Sequence, residues 1–322
     1  MKQIVLIGLG AGAAAALLFA SVLSGSALSI ILFYLAPLPI LIAGIGWSHW
    51  SALIAALAAA ASLAMIFGGF FFVAFSIGIG LPAWWLSYLT LLARPAPNTT
   101  DVEWYPAGRV VVWAAIFGAL VVVATIPNFG WSIESFNATL RSALEKLFRA
   151  QLRTPAGTPL EIPGADTKRL LDFLVIVTPL GIAVVSTVIN LANVWLAARI
   201  VRISGRLRRP WPALPQMQFA AYTPMLLAFA VAGSFLSGMA GLIASIVAVA
   251  LFTAYAALGF AVLHSVTAGI GARPMILGVA YLASTAVYWI GFAVALIGIA
   301  DGMLDIRGRV SARRGPPAPT IQ

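Results

Sequence analysis

Cysteine is absent from this 322-residue chain, and charged residues make up only 9% of it. Without cysteine there are no disulfides, thiolate metal sites or cysteine nucleophiles. Soluble proteins carry about 25% charged residues, so the scarcity of charge excludes a solvated globular surface. A charge in the middle of a membrane helix costs about 2.5–3.5 kcal/mol, which explains why long stretches have none. The charge-free stretches are 3–93, 110–133, 173–198, 210–272 and 275–300.

These stretches predict an all-α, polytopic bundle of eight or nine transmembrane helices, because a crossing helix needs about 20 mostly apolar residues. The first stretch could also be a signal peptide. Its apolar run of about 20 residues exceeds the usual 7–15, which favours an uncleaved helix. The predicted spans are 4–23, 27–45, 51–67, 69–92, 108–127, 170–198, 219–236, 240–263 and 275–300.

The chain divides into a transmembrane domain over 1–300 and a basic, proline-rich tail over 301–322, which we expect to be disordered. An external insertion at 128–169 contains an amphipathic helix at 134–152. A basic loop at 199–218 has five arginines and no acid, so the positive-inside rule places it in the cytoplasm. The positive-inside rule leaves the number of spans open, because nine spans would place the arginines of the tail outside the cell and eight would place them in the cytoplasm.

The net charge of +10 comes from few basic residues, which lie between apolar spans. Positive-inside topology explains this charge better than nucleic acid, which would require a basic patch on a soluble face. We therefore expect the lipid bilayer, and no nucleic acid, as a partner. The predicted location is the bacterial inner (cytoplasmic) membrane, as a multi-pass protein.

Small residues line one face of the first span, where Gly8, Gly12, Ala16 and Ala20 stand four apart. Such a face lets another helix approach closely. Two interpretations stay open: packing within the chain, or docking of a separate subunit. The same segment contains a G-x-G-x-x-A pattern typical of dinucleotide sites. That function is excluded because no acidic residue follows before Asp101 to bind the ribose.

A polar stripe on the sixth span is formed by Ser186, Asn190 and Asn193, which fall on one helix face. An amide in hydrocarbon must find a hydrogen-bond partner. The stripe predicts either hydrogen bonds between helices or contacts with a substrate in a central cavity.

Arginines cluster after the sixth span. The cluster indicates topology, contact with anionic lipid, worth about 1 kcal/mol per basic residue, or a coupling segment for a cytoplasmic partner. Its members are Arg199, Arg202, Arg206, Arg208 and Arg209.

Catalytic signatures are missing as well. All nine acidic residues lie in loops or at span ends, so no proton relay or cation site is predicted at mid-membrane. There is no Walker A loop, no H-E-x-x-H and no G-x-S-x-G pattern. We therefore predict no enzyme activity, no cofactor and no metal. Energy for transport would have to come from separate ATPase and coupling subunits.

Several segments together resemble the YybS-like family of uncharacterised bacterial membrane proteins. These segments are Phe33-Tyr-Leu-Ala-Pro-Leu-Pro39, Gly68-Gly69, the asparagine-bearing sixth span, Arg199, Arg208-Arg209, Leu214-Pro215, Phe219 and Pro224. The resemblance implies a fold similar to the S-components of energy-coupling-factor transporters and, more distantly, to MreD cell-shape proteins. In S-components a small-residue face docks the coupling subunit, which Gly8 and Gly12 would match. The extra spans and the insertion depart from the six-helix S-component plan.

Two functions follow as hypotheses. The first is a membrane-embedded solute-binding or permease component that depends on separate energising subunits. The second is an envelope-assembly or cell-shape scaffold, with other envelope membrane proteins as partners and no transport. A lipid-modifying enzyme is disfavoured, because the chain has no paired acids and no nucleophile with a base.

Overall fold

The computed structural model describes residues 1–96, 101–155, 157–212 and 217–314, except the side chains of Tyr288, Ser311, Arg313 and Arg314. The described chain is almost entirely helical, which confirms the all-α prediction. Its strands are β1 (Ala93–Pro95) and β2 (Val102–Trp104), an antiparallel pair in which Arg94 faces Glu103.

The helices of the first half are short where proline or glycine interrupts them. They are α1 (Lys2–Ala20), α2 (Ala27–Tyr34), α3 (Pro37–Gly46), α4 (His49–Phe67), α5 (Gly69–Phe75) and α6 (Leu81–Leu91). A 3-10 turn (Ser21–Ser24) extends α1, and a π turn (Ser76–Gly80) joins α5 to α6. Pro37 starts α3 after a two-residue turn, so α2 and α3 form one bent span.

The remaining helices include the longest of the molecule. They are α7 (Ala107–Val123), α8 (Ile126–Phe129), α9 (Ile133–Leu152), α10 (Thr167–Ile203), α11 (Thr223–Gly233), α12 (Gly238–Val266), α13 (Arg273–Ala286), α14 (Tyr288–Leu304) and α15 (Ile306–Arg314). Helix thus replaces the disorder expected from 301 to 314, whereas 315–322 and the loop residues 213–216 lie outside the described residues.

Among the described residues, seven helical segments are long and apolar enough to cross a membrane, which confirms a polytopic bundle. Two of the predicted spans differ from the helices of the structure. The 219–236 span contains only the 11-residue α11, and the 275–300 span breaks at Val287, whose backbone is extended, with φ −130° and ψ 104°. The seven segments are Lys2–Ser24, Ala27–Gly46, His49–Phe67, Gly69–Leu91, Ala107–Phe129, Thr167–Ile203 and Gly238–Val266.

One end of the bundle, which we call the arginine end, gathers the loop after α10 with the ends of α3 and α6. Arg206 Nε donates to the Gly46 carbonyl at 3.4 Å, and Arg209 Nη1 donates to the Thr90 carbonyl at 3.0 Å. Farther along, Arg307 Nη2 donates to the Met217 carbonyl at 2.8 Å. Helix α15 therefore begins at the same end as the arginine loop.

The opposite end is capped by α9. Its Phe136 and Leu140 form a small core with Ile126 of α8 and Val175 of α10, against which Met239 at the start of α12 packs. Ser132 and Ser135 form a reciprocal capping box at its start. The amphipathic helix predicted at 134–152 is confirmed, and it lies across the bundle end.

These contacts show the directions in which the helices run through the bundle. Residues 218–237 run from the arginine end to the start of α12, so they cross although α11 is short. Helix α1 packs parallel to α4, which starts at the arginine end. Both α1 and α15 begin there, which favours the eight-span alternative over nine, because the arginines of the tail then satisfy the positive-inside rule.

Two apolar cores lie side by side and share α7 and α10. The N-terminal core uses α1 to α6, and the C-terminal core uses α11, α12 and α14. Between the shared helices Gly118 lies directly against Thr187. A small residue is needed there because any side chain at 118 would occupy the space of the threonine hydroxyl.

Candidate functional site

The two asparagines of the predicted polar stripe are buried and hydrogen-bonded to neighbouring helices. Asn193 Nδ2 donates to the carbonyls of Tyr34 and Ile189, each at 2.9 Å. Asn190 Nδ2 donates to the Ala114 carbonyl at 3.3 Å. Tyr34 ends α2, so its carbonyl needs a partner from outside the helix. The amides hold α10 against α2 and α7.

This arrangement favours the packing interpretation over substrate contact. Ser186 is half-buried and lies on the same face of α10. Asn193 Oδ1 is buried and has no hydrogen-bond partner among the described residues. None of the three residues lines either of the two pockets described below.

The small-residue face of α1 packs on α4. A β-carbon at Gly8 would lie 2.7 Å from Ile54 Cγ2, and one at Gly12 would lie 2.7 Å from the Ala55 carbonyl. Ala16 is buried on the same face, and Ala20 is half-buried. Because α4 covers Gly8 and Gly12, the structure favours packing within the chain, and docking of a separate subunit on this face stays a hypothesis.

Three of the five predicted arginines lie over aromatic rings. The guanidinium carbon of Arg206 lies 4.2 Å from the ring centre of Trp47, that of Arg202 lies 5.0 Å from Trp211, and that of Arg209 lies 6.0 Å from Trp104. Arg199 and Arg208 are exposed. Burial lowers the pKa of Arg209, and its Nε has no hydrogen-bond partner among the described residues. The tryptophan partners were not predicted.

The C-terminal half contains an open groove that the sequence did not indicate. Its volume is about 630 Å³, within the usual range of roughly 300–1,000 Å³ for small-molecule sites. Helices α11, α12 and α14 form its walls, which are almost wholly apolar. The lining residues are Pro224, Leu227, Ala228, Val231, Ala232, Phe235, Phe252, Tyr255 and Ile299.

Two buried hydroxyls lie at the arginine-end side of this groove. Tyr255 lines the groove, and Thr223 directly precedes the lining residue Pro224. Neither the Tyr255 nor the Thr223 hydroxyl has a hydrogen-bond partner among the described residues. A buried hydroxyl without a partner costs about 1–3 kcal/mol, so each of the two requires an explanation.

The position of Tyr255 is fixed by close helix packing. Gly298 of α14 lies against the Tyr255 backbone, and Gly259 lies against the Val294 backbone, so α12 and α14 approach without intervening side chains. The Phe219 ring packs on Tyr255 with centres 5.1 Å apart. Tyr255, the single tyrosine of the mostly apolar α12, is the signal that sequence reasoning missed.

A buried ion pair closes the arginine-end side of α14. Asp301 Oδ2 accepts from Arg307 Nε at 2.8 Å and Nη2 at 2.7 Å, and Asp301 Oδ1 accepts from the Arg307 backbone at 3.0 Å. Since Arg307 also binds the Met217 carbonyl, the pair fixes α14 to the loop that precedes α11.

No curated protein and no solved structure matches the chain. The likeness to YybS-like proteins, S-components and MreD therefore stays a hypothesis. A family model described as "Predicted membrane protein (DUF2232)" matches residues 13–302, nearly the whole described bundle. The expected class, a family of uncharacterised multi-pass membrane proteins, is confirmed. This chain belongs to the DUF2232 family of predicted membrane proteins.

Proposed function

We propose that this chain is a membrane-embedded component that binds a small amphipathic solute in the groove between α11, α12 and α14. One observation carries the proposal: an apolar groove of about 630 Å³ is lined by Tyr255 and by Pro224, the neighbour of Thr223, and the buried hydroxyls of Tyr255 and Thr223 lack partners among the described residues. The hydroxyls would bind the polar group of the solute, and the apolar walls would bind its body.

The proposal moves the solute site away from Ser186, Asn190 and Asn193. The asparagine amides bind helix backbones, whereas the groove hydroxyls are free to exchange hydrogen bonds with a ligand. Movement of the solute across the membrane would depend on separate energising subunits. The proposal retains the permease-component hypothesis with a different site.

Native mass spectrometry of the gently solubilised protein tests this function, because it reports bound small molecules and subunits together. Ala228→Trp would fill the groove from its wall and is expected to abolish a co-purifying small molecule. Ala240→Trp, at an exposed position on α12 outside the groove lining, is the matched control and should retain it. A bound molecule that survives Ala228→Trp at full occupancy would refute the groove as the site.

The scaffold hypothesis is the second candidate. The hydrogen bonds of Asn190 and Asn193 to neighbouring backbones favour the scaffold hypothesis, because these polar groups then hold helices together instead of binding a solute. The open groove would seat a helix of another membrane protein. Photo-crosslinking from position 228 separates the two functions: capture of an ABC coupling subunit supports transport, whereas capture of cell-wall or division proteins supports the scaffold.

A further inference from the structure

A second pocket, separate from the groove, lies at the arginine end between the β1–β2 hairpin and the start of α7. Its volume is about 410 Å³. Unlike the groove, it has charged side chains in its lining. The lining residues are Leu92, Ala93, Arg94, Glu103, Trp104, Tyr105, Pro106 and Arg109.

Positive charge exceeds negative charge around this pocket. Arg94 Nε donates to Glu103 Oε2 at 2.8 Å, and this hydrogen bond and charge lower the pKa of the Glu103 carboxyl. Arg109 lies over the Tyr105 ring at 5.8 Å, and Arg209 lies 6.0 Å from the ring centre of Trp104. The pocket lining therefore has two guanidinium groups and one carboxylate.

Two further features favour an anion. Helix α7 begins at the pocket with no side-chain cap and no acidic residue in its first turn, so the positive end of its dipole is not compensated there. Arg209 Nε is buried and has no acceptor among the described residues, although Arg209 Nη1 binds the Thr90 carbonyl. Arg209 does not line the pocket, so it adds positive charge near Trp104 rather than a direct contact with the anion.

We propose that this pocket binds a phosphate group. Guanidinium forks and helix N-termini are the groups that bind phosphate oxygens most often, and both meet here. The phosphate would be carried by an anionic phospholipid headgroup or would be free in solution. Trp104 and Tyr105 lie beside the arginines, as amphipathic rings do at headgroup level, so the headgroup is the source that we expect.

Binding can be measured with purified protein in nanodiscs of phosphatidylcholine that contain increasing phosphatidylglycerol, with native mass spectrometry of the retained lipid. Arg109→Gln is expected to weaken phosphatidylglycerol binding about tenfold, because a charge-assisted contact is lost. Glu103→Gln should strengthen it several-fold, since Arg94 becomes available. Arg199→Gln is the matched control, an exposed arginine at the same end that does not line the pocket.

Titration of the detergent-solubilised protein with inorganic phosphate distinguishes the two sources. Retention of phosphatidylglycerol that phosphate cannot displace supports the headgroup, and displacement with direct phosphate binding supports the free anion. The proposal is overturned if neither ligand binds, or if Arg199→Gln weakens binding as much as Arg109→Gln does. Equal melting temperatures of the variants, all at exposed positions, would show that the fold is intact.

Discussion

The two halves of the bundle use the same packing device but cover their helices to different extents. In the N-terminal half, Gly8 and Gly12 bring α1 onto the length of α4. In the C-terminal half, Gly259 and Gly298 bring α12 onto α14 in the same way, but the 11-residue α11 leaves Phe252 and Tyr255 facing a groove. The length of the covering helix, rather than residue composition, therefore decides whether the interface is closed or leaves a groove.

The largest expected effect would come from breaking the buried Asp301–Arg307 ion pair, which anchors the C-terminal half. Asp301→Ala leaves Arg307 buried without its carboxylate, and removal of one partner of a buried pair costs about 3–5 kcal/mol. Thermal unfolding in detergent measures the loss. Arg309→Gln, which removes an exposed charge two residues away, should have little effect. Equal stability of both variants would contradict an anchoring role.

Matched glycine pairs compare the two halves directly. Gly12→Ala would place a β-carbon 2.7 Å from the Ala55 carbonyl, whereas Gly10→Ala meets nothing within 4 Å. Gly298→Ala would collide with the Tyr255 carbonyl, and Gly302→Ala again meets nothing within 4 Å. Overpacking costs about 1–3 kcal/mol, so melting temperatures should fall only for Gly12→Ala and Gly298→Ala.

Of these two variants, only Gly298→Ala should alter solute retention, since it moves α14 where α14 borders the groove. A loss of the co-purifying molecule from Gly12→Ala as well would mean that the halves are not independent.

A smaller effect is expected for the amide between α10 and α2. Asn193→Leu removes the donor to the Tyr34 carbonyl, and hydrogen bonds between membrane helices contribute about 0.6–1.7 kcal/mol. Ala192→Leu, at the exposed neighbouring position, is the control. Comparison of chemical unfolding curves would show the difference. If Asn193→Leu instead abolished solute binding at unchanged stability, the central-cavity hypothesis would regain support.

Tyr255→Phe should leave stability nearly unchanged in the absence of ligand, since the hydroxyl it removes has no partner among the described residues. Retention of the co-purifying molecule should nevertheless fall, and this combination distinguishes a binding hydroxyl from a structural one. Tyr222→Phe, at an exposed position, is the control for the same chemical change. A marked loss of stability in Tyr255→Phe would show that the hydroxyl already has a structural partner.

The last prediction concerns membrane topology rather than stability, and it tests the number of membrane crossings. Because the chain has no cysteine, single-cysteine variants report sidedness directly. Arg206→Cys and Arg309→Cys should react with an impermeant thiol reagent from the same side of sealed vesicles, and Ala138→Cys on α9 should react from the other side. Labelling of positions 206 and 309 from opposite sides would rule out eight crossings.

Sequence reasoning predicted what depends on local composition and missed what depends on contacts between distant residues. The apolar spans and the amphipathic α9 follow from residue spacing alone. The partner of the Gly8 face was undetermined because spacing identifies a packing surface but not what covers it. Likewise, the helix break at Val287 has no proline or glycine at that position, so residue type did not predict it. The groove depends on how α11, α12 and α14 meet, which no single segment encodes.

The length of α10 has a consequence of its own. Its 37 residues extend for about 55 Å, far more than the hydrocarbon thickness of roughly 30 Å. Near its first turns Asp172 is held by Arg141 of α9 at 2.8 Å, and at its far end Arg202 lies over Trp211. One continuous helix, with Pro179 inside it, therefore connects α9 at one end of the bundle to the arginine loop at the other.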